Sequence, residues 1–271
     1  MKRFILTAPP NGDGIIRLYG QDYHYLVRVR RLRGGAVFPA LLPGGTETPV
    51  KILSTADGIL IGRCMEPGEE KAGGVSLPPI ILFQGLPKGT KMDLIVRQAA
   101  EGGVREVVPF ESEFSAVRIK PGTDEKLRRW ERIVREARQQ SGSVIPTEVK
   151  APCTVDGLLE YWADLKREHP RGIGILLHQE PRIFPDGPLE QGTFHDYLYN
   201  KPEFVAAAVG PEGGFSPGEA GRFMAEGFKP LVMGSTILRT ETAALYAAAA
   251  VRIILMERAS WAPKAHQQKS R

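Results

Sequence analysis

Short apolar runs separated by turn dipeptides open the chain. Phe4 to Leu6, Ala36 to Leu42, Pro49 to Leu53 and Ile59 to Ile61 read as strands, divided by Asn11-Gly12, Asp13-Gly14, Pro43-Gly44-Gly45 and Asp57-Gly58. Turn pairs at that spacing predict a small, mostly β domain. One stretch breaks the pattern. Asp22 to Arg33, DYHYLVRVRRLR, fits a helix or a strand and gathers Arg28, Arg30, Arg31 and Arg33. It reads either as a solvated face whose arginine stems cover apolar surface, or, with His24 and Tyr25 beside it, as a basic patch for RNA.

Glu66 to Leu77 is polar and glycine-rich and reads as a linker. Beyond it strand and helix patterns alternate, which predicts a parallel sheet covered by helices. Strands are expected at Pro79 to Phe83, Val104 to Phe110, Gly172 to Leu177, Val205 to Val209 and Pro230 to Met233. Thr90 is read as the cap of a helix to Glu101 that carries an Asp93 to Arg97 pair and stops at Gly102-Gly103. From Thr123 a longer helix places Leu127, Trp130, Val134 and Ala137 on one face and Arg128, Arg132 and Arg135 on another. Glu125 to Arg129 and Glu131 to Arg135 pairs would make that polar face an ordinary surface; an arginine row also suits a phosphate-tracking one. Asp156 to Leu165 reads as a helix, followed after the next strand by a glycine- and proline-rich loop to about Thr193. Thr240 is read as the cap of an alanine-rich helix to about Met256 with Glu241 in its first turn, and the basic tail Trp261 to Arg271 is expected to fray.

The stretch FVAAAVGPEGGF, Phe204 to Phe215, points to a site. Five small apolar residues predict a strand buried on both faces, and Gly210 to Gly214 follow it directly. Ser216 as cap, Pro217 at the first helical position and Glu219 closing a capping box then write a helix start. Glycines between a strand's carboxyl end and a helix's amino end occupy the usual ligand crevice of an open α/β sheet. The loop is neither G-x-G-x-x-G nor a phosphate loop, and Glu212 would repel a pyrophosphate. A neutral or cationic ligand held by main-chain groups fits better, and a tight turn with no ligand is the bland alternative.

Composition adds bounds. The 271 residues, 42% hydrophobic and 25% charged, are those of an ordinary globular chain with a sizeable core. A formal charge of +5 weakly favours a polyanionic partner. Cys64 and Cys153 are too far apart for a paired-thiol motif, and a disulfide framework is not expected. No apolar run suits a signal peptide or a membrane span, so a cytoplasmic protein with no membrane partner is expected. His24, His169, His178, His195 and His266 have no ligand spacing, and no metal is expected.

Four segments, QGLPKGTKMDLIVRQAAEGGV (84 to 104), RQQSGSVIP (138 to 146), AVGPEGGFSPGE (208 to 219) and MGSTILRTETAAL (233 to 245), resemble in order and spacing the RsmE family of 16S ribosomal RNA uridine-N3 methyltransferases, of the SPOUT class. HYLVRVRRLRGG (24 to 35) extends the resemblance over nearly the whole chain. It implies a PUA-like β-barrel RNA-binding domain over 1–74, an α/β methyltransferase domain closed by a trefoil knot over 75–260, a tail over 261–271, and a homodimer acting on 16S rRNA or the small subunit. It further implies S-adenosyl-L-methionine held by Leu176, Leu177 and His178, by Gly210, Pro211, Glu212, Gly213 and Gly214, and by Met233, Gly234, Ile237 and Leu238. RNA contact falls to Arg28, Arg30, Arg31, Arg33, Arg128, Arg132 and Arg135. Arg239, beside the third turn, is expected to stabilise negative charge on the uridine, or else to pair with Glu212 or Glu241. Ser143 and Thr236 stand where the family commonly carries arginine, and Gln139 where it carries glutamate. Those departures favour a second reading, an RNA-binding ribosome-assembly protein of the same fold with an altered or lost target. A dinucleotide oxidoreductase, suggested by the α/β alternation, lacks its glycine fingerprint.

Overall fold

The computed structural model describes residues 3–65, 77–119, 124–178, 194–199 and 201–260. All but Leu77 of the expected linker, the expected cap Thr123, the loop 179–193 and the tail 261–271 lie outside them. The chain forms two compact units, Met1–Gly73 with Arg135–Pro146, and Gly74–Val134 with Thr147–Arg271. The first unit is therefore discontinuous, whereas the sequence reading divides the chain once, near residue 74.

In the first unit β1 (Phe4–Ile5), β2 (Ile15–Leu18), β3 (Val37–Leu41), β4 (Glu47–Ala56) and β5 (Ile59–Cys64) form a five-stranded sheet in the order β1-β3-β4-β5-β2. Only β1 and β3 pair in parallel. The four-residue β2 has no counterpart in the sequence reading, because two alternating pairs behind a turn signal are too short to stand out. The ambiguous stretch is helical: α1 (Gly20–Tyr23) runs into a π-helical turn, His24–Val29. Leu26, fully buried among Phe4, Phe38, Ile52 and Leu60, anchors it. Arg3 spans this unit, paired with Glu47 at 2.9 Å and donating to the Gly142 carbonyl at 3.4 Å.

The second unit runs β6 (Ile80–Gly85), α2 (Lys91–Glu101), β7 (Glu106–Glu111), α3 (Asp124–Ser141), β8 (Glu148–Val149), β9 (Cys153–Thr154), α4 (Val155–Glu168), β10 (Ile173–Leu177), α5 (Phe194–Tyr197), β11 (Val205–Val209), α6 (Pro217–Ala225), β12 (Lys229–Leu231) and α7 (Thr240–Ser260). Residues of α3 from Arg135 onward group with the first unit. The sheet order is β12-β10-β11-β6-β7-β8, with β9 also on β7, and every pair is parallel. The expected parallel α/β architecture is thus present. The last strand is shorter and ends earlier than the apolar run suggested, so Met233 falls in the turn that follows.

Burial on both faces explains the all-apolar strands. On one face Ala206 and Ala208 leave room for the rings of Phe204, Trp162, Phe223 and Phe228, carried partly by α4 and α6. Trp162 and Phe228 have centroids 4.5 Å apart, and the indole N–H donates to the Glu226 carbonyl at 2.9 Å. A Cβ on Gly174 would lie 2.8 Å from the Phe228 ring, which accounts for glycine inside β10. On the other face α7 packs over β11, β6 and α2.

Several expected local pairs form differently. Asp93 pairs with Arg129 across two helices, so neither the Asp93 to Arg97 nor the Glu125 to Arg129 pair is made, and Arg135 makes no ion pair with Glu131. Helix spacing permits those pairs, but a tertiary partner won. Thr90 sits at the start of α2 without a side-chain cap. Thr240 is the first residue of α7, and its hydroxyl serves a tertiary contact described below.

Trp162→Ala, which removes the centre of the aromatic layer, is expected to cost about 3–5 kcal/mol of stability, read from chemical denaturation.

Candidate functional site

Parallel strands deliver their carboxyl ends to one edge of the sheet, and in this unit three neighbouring strands, β12, β10 and β11, open there into turns. Between the turns lies a cavity of about 550 Å³. Leu177 and His178 reach it from β10, Gly210, Pro211, Glu212, Gly213 and Gly214 from β11, and Met233, Gly234, Ile237, Leu238 and Arg239 from β12. Leu176 does not. Adjacent strand residues point to opposite faces, and Leu176 is fully buried in the aromatic layer.

The glycines of the second turn answer mainly to the protein's own packing. A Cβ on Gly210 would lie 2.9 Å from the Gly214 carbonyl carbon, and one on Gly213 would lie 2.7 Å from Phe114 Cβ. Gly214 has φ +71°, a left-handed conformation natural to glycine. The exit of β6 is pressed equally close, since a Cβ on Gly85 would lie 2.5 Å from Pro211. Close approach by a ligand is therefore not needed to explain this composition.

Two buried polar groups hold the turns. Thr240 donates to the Gly210 carbonyl at 2.7 Å and accepts from Gln84 Nε2 at 2.9 Å, joining α7, the β11 turn and β6. Glu219, at the start of α6, forms the expected capping box with Ser216. Its carboxylate also accepts from Ser112 Oγ at 3.0 Å and from the Glu113 N–H at 2.8 Å, which fixes the turn against the segment after β7.

Glu212 lines the cavity and is engaged within the protein. Its carboxylate accepts from the Lys88 N–H at 3.1 and 3.3 Å and from Lys91 Nζ at 2.7 Å, so its charge is already matched. Lys91 also lies 3.7 Å from Glu241, an ion pair too long for a hydrogen bond. Both carboxylates considered for Arg239 are taken by Lys91. Arg239 is exposed, lines the cavity and makes no ion pair among the described residues.

Lys91 is a charged residue lining the cavity that sequence reasoning missed. A signal existed: Lys91 is the first residue of α2, where a positive charge opposes the helix dipole and is favourable only beside a carboxylate. Of the arginines expected to meet RNA, Arg28, Arg31, Arg33, Arg128, Arg132 and Arg135 are exposed, whereas Arg30 is half-buried and engaged within the protein.

A family model described as an RNA methyltransferase domain matches residues 75–252. The ribosomal RNA small subunit methyltransferase E of Synechocystis sp. is 31% identical over 256 residues, covering 93% of this chain and 78% of the relative. A Neisseria gonorrhoeae ribosomal RNA small subunit methyltransferase E, solved with bound S-adenosyl methionine, superposes with TM-score 0.75 at 22% identity over 94% of this chain and 98% of its own. A Legionella pneumophila structure with the bound cofactor SAM gives TM-score 0.70 at 26% identity, covering 93% and 97%.

Burial pushes the Glu212 carboxyl up, but the hydrogen bonds from Lys91 and from the backbone outweigh it and hold the group below the usual carboxylate range. Lys91 is held up, foremost by its hydrogen bond to Glu212. A lowered carboxyl stabilises the fold above its ordinary pKa and loses that contribution as pH falls through the lowered value. The Glu212 carboxyl carbon is expected to titrate below 4.5 by NMR, with the midpoint rising in Lys91→Ala. A midpoint indifferent to Lys91 would show that the pair does not hold the loop.

Proposed function

The chain belongs to the ribosomal RNA small subunit methyltransferase E family, and from that premise we propose that it methylates N3 of a uridine in 16S ribosomal RNA, with the family's uridine 1498 as its target. The observation that carries this reading is the meeting of three turns around one cavity lined by an arginine that makes no ion pair among the described residues. The cavity falls within the roughly 300–1,000 Å³ typical of small-molecule sites. Its lining suits S-adenosyl-L-methionine: main-chain groups of Gly210 to Gly214 and 232–239 for polar atoms, and Leu177, Ile237 and Leu238 for apolar surface.

Bound there, the cofactor supplies a methyl group on a positively charged sulfur. The protein's part is positioning and charge. A uridine imide nitrogen must lose its proton to become a good nucleophile, and the resulting negative charge spreads onto the base oxygens. Arg239, exposed at the cavity with no carboxylate partner among the described residues, stabilises that charge. The target base is presented unpaired or flipped out, with the exposed arginines of the π-helical turn's exit and of α3 supplying salt-sensitive affinity for the phosphates.

Finer features of the family follow in the same reading. The first unit acts as a PUA-like RNA-binding barrel, and the turns around the cavity form a trefoil knot. Two copies form a dimer. Its support is α7, which is apolar around its circumference, while Leu245, Tyr246, Ile253 and Met256 remain exposed together with Leu94 of α2. A helix apolar on all sides is normally covered on all sides. Thr236, which lines the cavity where the family commonly has arginine, favours a second reading in which the same reaction falls on a different uridine.

Nucleoside analysis of ribosomal RNA from cells lacking the gene is expected to show loss of 3-methyluridine, with mapping of the lost site deciding between the two targets. Arg239→Ala should fold normally and lose about 10²–10³ in kcat; wild-type turnover would remove its catalytic role. Ile253→Glu is expected to sediment as a monomer.

A further inference from the structure

Accepting the methyltransferase reading, we infer that Lys91 is a positioning residue: by holding Glu212 and Glu241 it keeps Arg239 unpaired and available to the substrate. Glu212 and Arg239 line the cavity, and Arg239 is two residues from Glu241 in the chain. Left to themselves, a lone arginine and two carboxylates would pair. Lys91 enters from α2, an element with no other side chain in the cavity, and places its ammonium 2.7 Å from Glu212 and 3.7 Å from Glu241.

The details fit such a clamp. Glu241 is mostly buried, and its Oε2 has no hydrogen-bond partner, so it would readily accept one from a nearby guanidinium. An unsatisfied buried acceptor of this kind costs energy that pairing would recover. The Arg239 charge is felt at Lys91, so the two cations are near enough to repel. An ammonium suits this position because it is a compact point charge, able to serve two acceptors while leaving the flat guanidinium for the base. Glu212 keeps a second anchor in the Lys88 N–H, so removing Lys91 does not by itself release the cofactor turn.

The test is steady-state methyl transfer to 16S rRNA by the full chain, with calorimetry of S-adenosyl-L-methionine binding and thermal melting as controls. Lys91→Met is expected to lose about 100-fold in kcat, because Arg239 is drawn onto the freed carboxylates, while affinity for the methyl donor stays within about threefold. Lys91→Met/Glu241→Gln removes the main trap and should recover at least about tenfold of that loss. Lys91→Arg keeps the positive charge and should retain at least about a third of wild-type kcat.

Wild-type kcat in Lys91→Met, or a double variant no more active than the single one, would overturn the clamp. Loss of donor binding in step with kcat would also overturn it, by making Lys91 part of the cofactor site. Should Lys91→Met not fold, Lys91→Arg decides alone: a folded protein with a tenfold or greater loss counts against the inference. A wild-type chain that transfers no methyl group at all would instead remove the functional reading on which it rests.

Discussion

The Thr240 hydroxyl is the joint on which the second unit's working edge depends. Buried, it accepts from Gln84 at the end of β6 and donates to the Gly210 carbonyl at the end of β11. A main-chain carbonyl leaving a buried strand must find a donor, and here a side chain from the last helix supplies it. One group therefore sets the distance between three chain segments far apart in sequence. Gly85 against Pro211 and Gly210 against Gly214 then close the remaining space, at separations no side chain would tolerate. The cavity is what this packing leaves open on the outer side.

Charge is arranged around that rigid edge in two layers. Glu219 lies inside, where a hydroxyl and backbone N–H groups satisfy it and lock α6 to the segment after β7. Glu212 lies at the rim, matched by Lys91 and the Lys88 N–H. The exposed Arg239 beside them is the exception, with no ion pair among the described residues. The buried network thus orders the turns, while the charged rim stays open to solvent.

Much of this was legible in the chain itself. The all-apolar VAAAV run, the Ser216-Pro217-Glu219 start and the alternation of strand and helix patterns are local signals, written by near-neighbour sterics and hydrogen bonding, and the structure reproduces each of them. The meeting of the 177–178, 210–214 and 233–239 segments came from motif resemblance, and one cavity now holds all three. Leu176, named with them by the motif, does not line that cavity, because a strand sends neighbouring side chains to opposite faces.

What only the tertiary structure decided is the pairing of polar groups. Asp93 and Arg97 lie at ideal helical spacing, yet Asp93 pairs with Arg129; Glu212 and Glu241 were the partners expected for Arg239, yet both pair with Lys91. Sequence spacing says which groups are able to meet along one element. It carries no information about a competitor arriving from another element, and a few ångströms in such an approach decide an electrostatic contest that falls off with distance. The backbone plan was therefore readable from the residues, while the assignment of charges to partners, and with it an arginine at the cavity without an ion pair among the described residues, existed only after folding.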